Sequence, residues 1–163
     1  MSWTTDTRYT NLVQQHGMSL LRLAILLTGN RHDGEDVVQD VLIRVSAKWT
    51  PLLTIGYLRR AVANAAMDVH RRRRDILSAE PPERSALDSG MFRLEEDEQF
   101  FARVQALPPQ QRTTVVLKFH ADMDDRTIAK TLGVSIETVR SNTKRALDKL
   151  RADAATKTSE HVK

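Results

Sequence analysis

Apolar residues recur at three- and four-residue spacings along most of the chain. From Arg8 to Leu27, the residues Tyr9, Leu12, Val13, Leu20, Leu23, Ala24 and Leu27 largely keep that spacing and predict an amphipathic helix. Thr28-Gly29-Asn30 ends it, glycine being suited to the left-handed turn after a helix. Asp33 is expected to cap a second helix, with Asp36 three residues on. Its stripe is Val37, Val38, Val41, Leu42 and Val45, closing at Trp49 before the stop at Pro51. Thr54 is expected to cap a third helix, with Ile55, Leu58, Val62, Ala65 and Val69 along one face and Arg71-Arg72-Arg73-Arg74 at its end.

The pattern then breaks. SAEPPERSALDSGMFRLEEDEQ, residues 78–99, carries no apolar stripe, and Pro81, Pro82 and Gly90 interrupt any helical period. It reads as a linker, with helix resuming near Phe92 and running toward Ala106. LPPQQR, at Leu107 to Arg112, opens a second helical block, because proline is preorganised for a first helical turn. Val115, Val116 and Phe119 are expected as its buried stripe. Asp124 is expected to cap a short helix carrying Ile128, Ala129 and Leu132. After Gly133, Ser135 is expected to cap a helix from Ile136 to about Arg151.

The expected architecture is all-α: two small helical domains, 1–77 and 100–155, joined by a flexible acidic linker over 78–99 and followed by a tail over 156–163. At 163 residues the length suits one domain or two small ones. Aromatic residues are only 5%, which argues against a β-sandwich. The absence of cysteine excludes disulfide frameworks, cysteine-ligated metal centres and a thiol nucleophile. The most apolar stretch, Met18 to Leu27, is half the length of a membrane helix and contains Arg22. No leader is visible, so the chain is expected in the cytoplasm without membrane insertion.

Charge is more informative by position than in total. The formal net charge of +4 divides into +4 over 1–77, −5 over 78–99 and +5 over 100–163. Two basic blocks flank an acidic middle. A basic helix end complements the helix dipole, but four consecutive arginines surround the helix and exceed what a cap needs. Contact with nucleic-acid phosphates is the expected role for Arg71, Arg72, Arg73 and Arg74. Asn64 and Asp68 lie just upstream in nearly the same stripe as Arg60 and Arg71. They are suited to bases as well as backbone, or simply to water. The second helix carries Asp36, Gln39, Asp40 and Arg44 away from its valines. That face is poorly suited to DNA and fits either solvent or a protein partner.

The sharpest signal lies in the second block. Ala129, Gly133 and Val139 have the spacing of a helix-turn-helix: a small residue at the crossing, glycine in the turn, and an apolar contact back onto the first helix. The outer side of the second helix then presents Thr138, Arg140, Ser141, Lys144 and Arg145, which can reach base edges and phosphates in a major groove.

These features together resemble the extracytoplasmic-function (ECF) sigma factors of bacterial RNA polymerase, in particular the short actinobacterial SigE-like type. The resemblance is carried by HDGEDVVQDVLIRVSAKW, YLRRAVANAAMDVHRRRR and ALPPQQRTTVVLKFHADMDDRTIAKTLGVSIETVRSNTKRALDKLR, in that order. It implies a non-enzymatic promoter-specificity subunit with no cofactor or metal. Asp36, Gln39, Asp40 and Arg44 would bind polymerase, docking on the coiled coil of β′, with β as a further contact. The stretch from Asn64 to Arg74 would read the −10 element, and the Pro51–Ile55 loop would capture a flipped base. Arg140, Ser141, Lys144 and Arg145 would read the −35 element. The linker would thread toward the active-site channel, and an anti-sigma factor is a further partner class. The family often has Glu at the position of Thr127 and Ser or Thr near Asp124; the Asp124 cap is expected to preserve the turn.

Two other classes compete. One is a helix-turn-helix regulator with a sensor or dimerisation block in front. The other is a metal-dependent nuclease using Asp33, Glu35, Asp36 and Asp40, although no second acidic cluster converges on them in sequence.

Overall fold

Helix α1, Thr7–Thr28, concentrates its apolar residues in its second half: Leu20, Leu23, Ala24, Ile25, Leu26 and Leu27 are all buried. The computed structural model describes residues 7–50, 52–76 and 95–160, and the side chains of all of these except 74–76, 95–98 and 157–160. Gly29 ends α1 at φ +87°, and its N–H reaches the Ile25 carbonyl at 2.8 Å.

Helix α2, Arg31–Ala47, starts earlier than expected because its cap is Asn30 rather than Asp33. Asn30 Oδ1 accepts the Asp33 N–H at 2.9 Å, and Asn30 Nδ2 donates to Asp33 Oδ2 at 2.6 Å. The positive φ of Gly29 turns the chain at once, so the next residue already stands in the extended conformation that a cap needs. Val37, Val38, Val41 and Val45 are buried. Trp49 lies beyond the end of the helix, edge-on to Tyr9 with centroids 5.2 Å apart, while the Tyr9 hydroxyl donates to the Leu42 carbonyl at 2.7 Å. Burial of Tyr9 raises its pKa above the usual phenol value.

Gly34 permits the close approach of α1 and α2. A Cβ there would stand 2.6 Å from Ile25 Cγ1 and 3.1 Å from the Ile25 backbone nitrogen. Helix α3, Ile55–Ile76, packs on both. Thr54 caps it weakly, its Oγ1 3.3 Å from the Tyr57 nitrogen. The core face of α3 is Leu58, Val62, Ala63, Ala66 and Met67. The expected face is therefore rotated: Ile55, Ala65 and Val69 are only half-buried. Each fully buried leucine or valine in this bundle contributes about 1.5–3 kcal/mol of transfer free energy.

The remaining helices are α4 (Glu95–Gln105), α5 (Pro109–Phe119), α6 (Asp125–Leu132) and α7 (Ile136–Glu160). Helix α4 contributes Phe101 and Val104 to the core. Pro109 begins α5 as expected, and Thr114 through Leu117 are buried. Phe119 is not part of that core. It stands at the last position of α5 and is 52% exposed, while Leu117 takes the buried place. Leu107, Val115 and Ala146 pack together with Leu150 against them. Helix α7 continues well past the expected end near Arg151.

The chain divides into two units, Met1–Ala86 with α1–α3 and Leu87–Lys163 with α4–α7. Residues 78–94 of the expected linker, Pro51, and the last residues of the expected tail lie outside the described residues. Among the described residues there are no strands, and no helix is long and apolar enough to cross a membrane.

Candidate functional site

Three helix faces carry the polar side chains singled out above. The first is on α2. Asp36, Gln39, Asp40 and Arg44 are all exposed, opposite the buried valines. Asp40 pairs with Arg44 at 2.9 Å and Asp36 meets His32 at 3.5 Å. Both pairs are solvent-exposed, so they order the surface more than they stabilise it. Ile43 lies among these residues and is 69% exposed. Periodicity left it unassigned, since it falls between the stripe positions Val41 and Val45. An isoleucine within an otherwise polar face gives that face an apolar contact point.

The second face is on α3. Tyr57, Arg60, Asn64, Asp68 and Arg71 are all exposed and follow one another at helical spacing. Arg71 reaches Asp68 at 3.4 Å. Tyr57, 50% exposed, was not among the expected site residues. Its signal was available: an aromatic residue one turn before Arg60 supplies a flat surface on which a base can stack. The neighbouring Leu52 is 87% exposed. The arginine run is divided. Arg72 and Arg73 are exposed and the Arg74 side chain lies outside the described residues, but Arg73 pairs with Asp33 Oδ2 of another helix. The Asp33 side chain is only 12% exposed, so this pair ties the end of α3 to the start of α2.

The third face belongs to the helix-turn-helix. Asp124 caps α6, its Oδ1 accepting the Thr127 N–H at 2.7 Å. The turn therefore forms with threonine at 127. Gly133 adopts φ +67° with open space around it, so conformation rather than crowding favours glycine there. Ser135 Oγ accepts the Thr138 N–H at 3.1 Å and caps α7. Ala129 and Val139 are buried at the crossing. Arg140, Ser141, Lys144 and Arg145 are exposed together. Thr138 is half-buried, and its hydroxyl lies 2.9 Å from that of Ser135, so it serves the cap.

Beside this face, Lys118 of α5 and Arg140, Lys144, Leu147 and Arg151 of α7 border an open groove of about 240 Å³. Lys118 Nζ donates to Asp125 Oδ1 at 2.7 Å, and Arg140 Nε approaches Asp125 Oδ2 at 3.5 Å. The hydrogen bond from Lys118 and the nearby cations hold the Asp125 carboxyl below the usual carboxylate range.

The acidic residues considered for a magnesium site are separately engaged: Asp33 with Arg73, Glu35 with Arg31, Asp36 with His32 and Asp40 with Arg44. Among the described residues no three His, Asp or Glu side chains come together in a metal-binding group.

Known proteins place this arrangement. The family profile described as Sigma-70, region 4 matches residues 104–152, which span α5, α6 and most of α7. The ECF RNA polymerase sigma factor SigE of Mycolicibacterium smegmatis is 36% identical over 160 residues, covering 91% of this chain and 62% of that protein. The RNA polymerase sigma-E factor of Streptomyces coelicolor is 30% identical over 141 residues, covering 83% of this chain and 79% of that protein. The chain belongs to the ECF sigma factors of the sigma-70 family. This sigma factor spans less than two thirds of the length of the Mycolicibacterium relative. Its fold is also that of sigma factor RpoE from Bartonella quintana, solved in complex with the anti-sigma factor NepR. That likeness has a TM-score of 0.55 at 20% identity, covering 88% of this chain and 96% of that one. Because both curated relatives align across the first block as well, that block is part of the sigma-factor pattern and not a sensor appended to a helix-turn-helix.

Proposed function

We infer that this chain directs core RNA polymerase to particular promoters, as a specificity subunit without catalytic activity of its own. The observation that carries the reading is the pair of separate helical units, each presenting an exposed basic helix face, in a chain with sigma-factor relatives along most of its length. In this reading residues 1–77 form the polymerase- and −10-binding domain, and residues 100–155 the −35-binding domain. Asp36, Gln39, Asp40 and Arg44, with Ile43 among them, form the face for β′. Asn64, Asp68, Arg71, Arg72 and Arg74 read the −10 element, helped by Tyr57 and Arg60, while Arg73 fixes the helix that carries them. Arg140, Ser141, Lys144 and Arg145 enter the −35 major groove, and Thr138 holds the helix start.

The physical logic is tethering. Each unit alone makes a few charge-dependent contacts, and joining them raises the effective concentration of the second once the first has bound. An unstacked −10 base costs a few kcal/mol, which stacking and phosphate contacts offset. The site of action is the cytoplasm, where polymerase works. An anti-sigma factor is a second partner class, supported by the Bartonella protein having been solved with one.

The test is transcription in vitro from a genomic promoter library by core polymerase, with and without this chain. Selective initiation that depends on the chain is the expected result. Binding of duplex DNA by the chain alone, with no change in initiation, would overturn the reading in favour of a regulator.

A further inference from the structure

The three-residue cluster at the base of α7 assigns a task to Asp125. Its two carboxylate oxygens are divided between two cations: Oδ1 accepts from Lys118 Nζ at 2.7 Å, and Oδ2 lies 3.5 Å from Arg140 Nε. The carboxylate is well shielded, with 23% of its side chain exposed, whereas Arg140 is 68% exposed. Asp125 is the first residue of α6, just after the Asp124 cap, so its backbone is fixed by the helix-turn-helix itself. A negative charge on a surface meant for phosphates is otherwise unfavourable, which calls for a compensating role.

An arginine engaged through Nε leaves the two Nη groups of its planar guanidinium to donate from the outer edge. That edge matches the O6 and N7 acceptors of guanine. A long exposed side chain loses rotamer entropy when it docks on a base, and holding it beforehand reduces that loss. Resting on the sigma-factor reading above, we propose that Asp125 is a positioning residue that presents Arg140 to a guanine in the −35 element, with Lys118 holding the carboxylate in place.

The proposal predicts a change in selectivity rather than in affinity alone. Holoenzyme reconstituted from core polymerase and this chain is tested on promoter duplexes carrying each of the four base pairs at every −35 position. The wild-type chain prefers G at one position by roughly five- to hundredfold. Arg140→Ala removes that preference. Asp125→Asn, nearly identical in shape, reduces it several-fold at that position only and leaves binding to the other base pairs equal or tighter, since a negative charge has gone. Asp125→Glu restores part of it. In the double variant Asp125→Asn/Arg140→Ala the first change adds nothing to the second. An equal loss on all four base pairs, or additive losses in the double variant, would overturn the assignment of Asp125 while leaving the sigma-factor reading intact. A wild-type chain that brings no −35 selectivity to core polymerase would overturn both.

Discussion

Gly17 and Gly34 both lie inside helices of the first unit, yet alanine should act oppositely at the two. At Gly17 an added Cβ meets nothing within 4 Å, so the substitution only improves helix propensity and restricts the unfolded chain. The expected gain is about 0.5–1 kcal/mol. At Gly34 the same Cβ would lie 2.6 Å from Ile25 Cγ1 and 3.1 Å from the Ile25 nitrogen. Comfortable carbon contacts begin near 3.5 Å, so α1 and α2 must separate by several tenths of an ångström. Ile25 cannot yield instead, because it is fully buried and its backbone lies in α1. Overpacking of this kind costs about 1–3 kcal/mol. Set against the same propensity gain, Gly34→Ala should destabilise by about 1–2 kcal/mol. For a unit of this size each kcal/mol moves the melting temperature by about 4–8 °C. Neither tryptophan of the chain lies in the second unit, and Trp49 packs against Tyr9 of α1, so tryptophan fluorescence follows unfolding of the first unit. Thermal melts should place Gly17→Ala above and Gly34→Ala below the wild type. Stabilisation by both variants would refute the claim that Gly34 sets the α1–α2 distance.

Other expectations are as direct. Arg73→Ala should lower the melting temperature of the first unit by the equivalent of about 1 kcal/mol, because it leaves the shielded Asp33 carboxylate without its cation; Arg72→Ala should stay within about 0.5 kcal/mol. Asp40→Arg should abolish retention by immobilised core polymerase while leaving the tryptophan-detected melt within about 0.5 kcal/mol of wild type, since the Asp40–Arg44 pair is exposed. Gly133→Ala should destabilise the second unit by about 1 kcal/mol through its positive φ alone, and Gly133→Asn by less, as read by far-UV circular dichroism. Asp125, whose carboxyl pKa is lowered in the folded chain, contributes stability above the unfolded carboxylate value near 4, and this is lost as pH falls through the lower folded value. The difference in melting temperature between wild type and Asp125→Asn should therefore be largest near neutrality and shrink below about pH 4.

Much of this was legible from spacing and caps. The stop at Gly29, the Pro109 start, the Asp124 and Ser135 caps and the left-handed Gly133 depend on local backbone chemistry, which neighbouring residues disclose. Details that depend on tertiary contact were not. Asn30 and Asp33 both suit a cap, and the turn at Gly29 decides between them. The α3 core face is rotated because Ala63, Ala66 and Met67 are small or pliable enough to sit against α1 and α2. Phe119 looks like core by type but ends its helix in solvent. The run of four arginines read as one feature, and only a partner from another helix distinguishes Arg73.

The Arg73–Asp33 pair joins two helices to which the proposed function gives different clients. Asp33 stands at the start of α2, to which the proposed function gives the polymerase contact, and Arg73 near the end of α3, to which it gives the promoter contact. The two positions should therefore drift together among descendants of this protein: a lineage that reverses or neutralises one charge should be found to have altered the other. On that reading, promoter choice would be retuned at the exposed Asn64, Asp68 or Arg71 without disturbing α2, whereas a change at Arg73 would also reach the helix assigned to polymerase.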